Sequence, residues 1–139
     1  MKRNALSVLI ILLSLPFLSG MGALQPQSPQ KIPVPAKKYF ATFTDQADFV
    51  TDCRDVSIEG ETFLEGKRGK GVDAIPFENI TEVLFLLEGV QLTGTVKLRD
   101  GNTAQLRLDN NKMAYGRTNY GTFQIKLSEL KKMILRKSP

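Results

Sequence analysis

Tyr39, Ala41 and Phe43 alternate with Phe40, Thr42 and Thr44, a period of two that predicts a strand over 39–44. Asp45 to Asp48 is a mostly polar break. Phe49 to Glu59 carries Val50, Asp52, Arg54, Val56 and Ile58, but the alternation is clean only from Asp55 to Glu59. A second strand is therefore expected, irregular or bulged near Cys53. Gly60 to Gly71 is polar and glycine-rich and reads as a loop anchored by Phe63 and Leu64. Val72 to Phe77 predicts a third strand, and Pro76 places it at a sheet edge because proline donates nothing to a ladder. Glu78, Asn79 and Ile80 read as a tight turn with Ile80 inward. Glu82 to Leu87 is a short, almost wholly apolar fourth strand.

The pattern then starts again. Val90 to Arg99 sets Val96 and Leu98 against Lys97 and Arg99, and Asn102 to Asp109 sends Ala104, Leu106 and Leu108 inward. Between them, Asp100-Gly101 signals a hairpin with a two-residue turn, for which glycine adopts the positive φ freely and Asp tolerates it. Asn110 to Gly121 is a second glycine loop, and Thr122 to Leu127 and Lys131 to Arg136 close the series. Leu127, Leu130 and Ile134 would also fit a helical stripe. The matching first-copy segment, Ile80 to Leu87, is rich in β-branched and aromatic residues, which favours strand in both.

The recurrence has a fixed offset. Gly66–Leu87 and Gly116–Lys137 align fifty residues apart without a gap: Gly66 falls on Gly116, Gly71 on Gly121, Ile75 on Ile125 and Phe77 on Leu127. Leu106 and Leu108 fall on Val56 and Ile58 at the same offset, extending the repeat backward. Units 39–87 and 90–137 are read as a duplication. A unit that cannot bury its own apolar face packs against its twin. The expected fold is all-β: a small sandwich or barrel of about eight strands, from two similar four-strand units within residues 39–139.

Composition changes this picture mainly at the N-terminus. Lys2 and Arg3 precede an apolar run from Ala5 to Leu18, and small residues follow at Ser19, Gly20, Gly22 and Ala23. This is the pattern of a secretory signal peptide over 1–23. It implies an exported, periplasmic or extracellular protein, with membrane contact only through this segment if it is retained. Residues 24–38, with Pro26, Pro29, Pro33 and Pro35 among glutamines, read as an extended linker. The chain has 139 residues, 42% hydrophobic and 24% charged, with a net charge of +5. That suits one globular domain and gives no argument for nucleic acid.

Candidate chemistry is sparse. There is no histidine, so the commonest general base and metal-binding imidazole are both missing. The single cysteine, Cys53, has Arg54 beside it in sequence, which could lower its pKa, but no imidazole to activate it. Asp45, Asp48, Asp52 and Asp55 lack the glycine and terminal glutamate of an EF-hand loop. Neither a metal nor a cofactor is expected. Asn79-Ile80-Thr81 has the form of a glycosylation sequon in a tight turn.

The two glycine loops hold the candidate binding residues. Gly66 to Gly71 interleaves Lys67, Arg68 and Lys70 with glycines that let amides and cations converge on one anion. It lacks the Ser or Thr after Lys, and the following helix, of a P-loop. In the second loop Tyr115 and Tyr120 flank Arg117, an arrangement able to stack on sugar rings or peptide planes. The expectation is a non-catalytic binding module for an anionic envelope component or glycan, whose partner is an envelope polymer or another envelope protein. The alternative is an assembly subunit joined through edge strands or surface contacts.

Overall fold

The computed structural model describes residues 31–137. The expected signal peptide, 1–23, and residues 24–30 of the expected linker lie outside the described residues. In the remainder of that linker Ile32 and Pro35 are buried.

The chain is all-β. Its strands are β1 (Tyr39–Asp45), β2 (Val50–Ile58), β3 (Phe63–Arg68), β4 (Gly71–Pro76), β5 (Ile80–Glu88), β6 (Gln91–Leu98), β7 (Thr103–Leu108), β8 (Met113–Thr118), β9 (Gly121–Lys126) and β10 (Leu130–Lys137). They form one curled antiparallel half-barrel sheet in the order β4-β3-β7-β6-β5-β10-β1-β2-β8-β9. The expectation of about eight strands in two four-strand units is corrected to ten strands in one sheet among the described residues.

The two additional strands, β3 and β8, occupy the expected glycine loops, and Gly66 and Gly116 explain the misreading. A Cβ on Gly66 would lie 2.7 Å from Leu106 Cβ, and one on Gly116 would lie 2.6 Å from Cys53 Cβ. These glycines sit in strand interiors where another strand's side chains press on the backbone. They are required by non-local packing and are not turn residues.

The strand order has a symmetry. With β1–β5 matched to β6–β10, it reads the same from either end. The units are interleaved: the β3–β4 hairpin joins β7 of the other unit, and β8–β9 joins β2. The halves meet at the centre through a short β5–β10 ladder of Leu84↔Lys132, Val83↔Met133 and Glu82↔Ile134. Within that ladder, Val83 and Met133 are buried, as are their neighbours Ile80, Phe85, Leu130 and Leu135.

Register locates the equivalences more finely. Ala41 pairs with Cys53, and Gly94 with Leu106. The first two strands of each unit therefore correspond at an offset of fifty-three, and the later ones at fifty. Cys53, not Val56, is the counterpart of Leu106. The difference is absorbed in β2, where the register shifts between Arg54 and Ser57 and Asp55 takes φ 52°. This is the irregularity expected near Cys53.

Pro76 ends β4, an edge strand. A 3-10 turn (Phe77–Asn79) leads into β5, and its equivalent (Leu127–Glu129) leads into β10. The Phe77 amide donates to Thr62 O and the Leu127 amide to Lys112 O, both at 2.9 Å, so each turn is tied to a loop of its own unit. The β6–β7 connection is a hairpin, but not the two-residue turn expected. Gly101 donates to Leu98 O, Leu98 donates to Asn102 O, and only Gly101 has positive φ. The stripe of Leu127, Leu130 and Ile134 is not a helix: Leu127 opens the 3-10 turn, and Leu130 and Ile134 lie in β10, whose register with β1 shifts between Thr44 and Asp45.

Gly66→Ala and Gly116→Ala are each predicted to cost about 1–3 kcal/mol, because the added methyl enters an occupied core space. Urea denaturation of each variant checks this.

Candidate functional site

The cations of the first glycine segment separate into different roles. The β3–β4 hairpin turns through Gly69, at φ 63°, and Lys70 projects into solvent from the turn. Arg68 Nε donates to Asp73 Oδ2 at 2.6 Å across the hairpin. That bond holds the Asp73 carboxyl below the usual carboxylate range, so Arg68 is committed within its own hairpin. Lys67 remains. It sits on β3 directly opposite Arg107 of β7, and both side chains are exposed. Among the described residues neither side chain has an ion pair.

The second segment behaves in parallel. Tyr120 stands at the β8–β9 turn, 93% exposed. Tyr115 lies on β8, half-buried between Ser57 of β2 and Gln124 of β9. Burial and the nearby Glu59 carboxylate push its phenol above the ordinary range. Two residues on, Arg117 sits directly opposite Arg54 of β2. Arg117 at offset fifty is the counterpart of Lys67, and Arg54 at offset fifty-three is the counterpart of Arg107. Both ends of the sheet therefore carry a cation facing a cation, at the seam where a strand of one unit meets a strand of the other.

Like charges directly opposite on adjacent strands are destabilising, and here the arrangement occurs twice. Each pair lines an open cleft. The first, of about 450 Å³, sets Lys67, Arg107 and Lys112 against Glu65 and Asp109, with Val72 as an apolar wall. Lys112 is already paired with Glu65 at 2.9 Å. The second, of about 260 Å³, gathers Arg54, Arg117 and Arg136 with one acid, Asp52, beside Phe40. Arg54 donates to Thr118 O, and Arg117 approaches Asp55 at 4.0 Å. The six candidate residues do not form one surface: Lys67, Arg68 and Lys70 lie at one end of the strand order and Tyr115, Arg117 and Tyr120 at the other.

Sequence reasoning missed Arg54 and Arg107 as site residues. Arg107 carries a local signal, exposed between the buried Leu106 and Leu108, whereas Arg54 follows the buried Cys53 at the start of the β2 bulge, where the alternation breaks. The cationic partner of each comes from the other unit. The four aspartates are dispersed. Asp45 accepts from the Ala47 and Phe49 amides, Asp48 pairs with Lys131, Asp52 accepts from Thr42 Oγ1, and Asp55 approaches Lys38 and Arg117. Among the described residues no group of three or more acidic or cysteine side chains could hold a metal ion.

Cys53 is buried, and the expectation that Arg54 lowers its pKa is corrected. Desolvation, with Asp52 adding to it, pushes the thiol up to about 11. Adjacent strand residues point to opposite faces, so Arg54 is directed away from it.

Three outcomes follow from this geometry. The native thiol is expected to resist a disulfide reagent at pH 8 and to react once unfolded, since its thiolate is roughly a hundredfold rarer when folded. Its contribution to stability is full below about pH 9, where the unfolded thiol is also neutral. It is lost as pH rises through about 11. Arg107→Gln, which relieves repulsion on Lys67, is predicted to leave stability unchanged or raise it by a few tenths of a kcal/mol in urea denaturation.

Neither curated proteins nor solved structures returned a match to this chain. A family model described as "Uncharacterised protein" matches residues 35–138, and the chain belongs to that family.

Proposed function

We propose that this chain is an exported, non-catalytic binding module, and that its ligand is an anionic component of the cell envelope, periplasmic or extracellular. The observation that carries the reading is the pair of cross-strand cation contacts, Lys67 with Arg107 and Arg54 with Arg117. A fold that sets like charges face to face at equivalent places gives up stability there. An anion settling between them recovers it, and an arginine fork suits a carboxylate or a phosphate. Tyr120, exposed at the β8–β9 turn and next in sequence to Asn119 of the second cleft, adds an aromatic face.

Export rests on the sequence of residues 1–23, with its basic start, apolar run and small residues. The non-catalytic reading draws on the absence of histidine and on a thiol held neutral by burial. The alternative, an assembly subunit, is favoured by one feature: Leu84, Leu86, Leu87 and Val90 are all exposed near the β5–β6 turn. A mass that rises with concentration in size-exclusion chromatography would favour that reading, and a constant monomer mass would favour ligand binding.

Lys67→Ala combined with Arg117→Ala is predicted to weaken retention on insoluble anionic envelope material about tenfold. The thermal midpoint should not fall, because both side chains lie outside the core. Retention equal to that of the parent chain would remove the clefts from consideration.

A further inference from the structure

The binding reading leaves open how many ligand groups the chain takes and which residues hold them, and the inference below rests on that reading. We infer that the chain carries two equivalent anion sites, each built by both units: Lys67 with Arg107 in one, and Arg54 with Arg117 in the other.

The first support is positional. β3 meets β7 at a single registered pair, Lys67↔Arg107, and β8 meets β2 with Arg54↔Arg117 at the equivalent point. The strand order maps these seams onto each other when its two ends are exchanged. One unit supplies one cation and the other unit supplies its partner, so neither unit alone holds a complete site.

The second support is charge. In the first cleft the acids are partly occupied: Glu65 by Lys112, and Asp109 by the Asn111 amide. No acid lies within ion-pair distance of Lys67 or Arg107 among the described residues. In the second cleft, Arg54 uses one nitrogen on Thr118 O, and Asp52 and Asp55 approach Arg136 and Arg117 only at 4.0 Å. Planar guanidinium donors and open clefts suit a carboxylate or phosphate group. The ligand class is a linear polymer with repeated anionic groups, since two like sites on one chain suit a repeating ligand.

The sites differ in detail. The second has Phe40 and a third arginine, Arg136, so it should bind the same group more tightly than the first, whose wall is Val72.

The experiment is calorimetric titration of the full chain with two short probes, trigalacturonate for carboxylates and tripolyphosphate for phosphates. The variants are Arg107→Gln, Arg54→Gln and the double substitution. Lys131→Gln, remote from both clefts, is the control, and thermal midpoints verify folding. The inference expects two bound probes per parent chain, one for each single variant and at least a tenfold loss of affinity for the double variant. The probe that binds more tightly identifies the ligand's anionic group. Loss of all binding in one single variant, with no effect in the other, would overturn the paired sites while leaving a one-site binding module. Unchanged binding by a folded double variant would overturn the assignment and leave the broader reading standing. No binding of either probe by the parent chain would overturn both.

Discussion

The short ladder between β5 and β10 is the constraint on which the rest of this structure depends. Three residue pairs carry it, with Val83 opposite Met133 at its centre, both buried. Burying side chains of this size contributes roughly 1.5–3 kcal/mol each relative to exposure. The ladder also fixes register: a one-residue slip would turn Val83 outward and Leu84 inward. On either side the strands diverge into two five-strand halves, each drawing on both units.

Interleaving decides which side chains face each other at the outer seams. Had each unit folded by itself, the sheet's seams would join residues selected within one unit. Here β3 meets β7 and β2 meets β8 across units, and those seams carry the opposed cations. The core favours these contacts through close packing at Gly66 and Gly116, while the outer face tolerates repulsion directly beside them. Local rules of sheet stability are commonly broken where a surface must do something besides fold.

Much of the architecture was legible in the residues. The all-β class, the recurrence, the edge position of Pro76 and the inward turn isoleucine all come from local signals, because turn chemistry and side-chain alternation act within a few residues. What escaped is non-local. Gly66 and Gly116 look like loop residues until Leu106 and Cys53 are seen pressing on them. The shift in offset between the early and late strands depends on a bulge near Asp55, and a 3-10 turn followed by a bulge at the start of β10 imitates a helical period in the tail. Of the site, Lys67 and Arg117 stood out among glycines, but nothing near them in the chain points to Arg107 or Arg54. The partner of Arg68, Asp73, is likewise reached only once the hairpin forms.

The central claim is that the two units exist only as one interwoven sheet, and dividing the chain at the β5–β6 turn tests it most directly. Fragments 31–88 and 89–137 would be purified separately, then mixed, and followed by circular dichroism and thermal unfolding. The account predicts that neither fragment shows a cooperative transition alone and that mixing restores the β-sheet signal with a single transition. A separate, cooperative transition from either isolated fragment would contradict it.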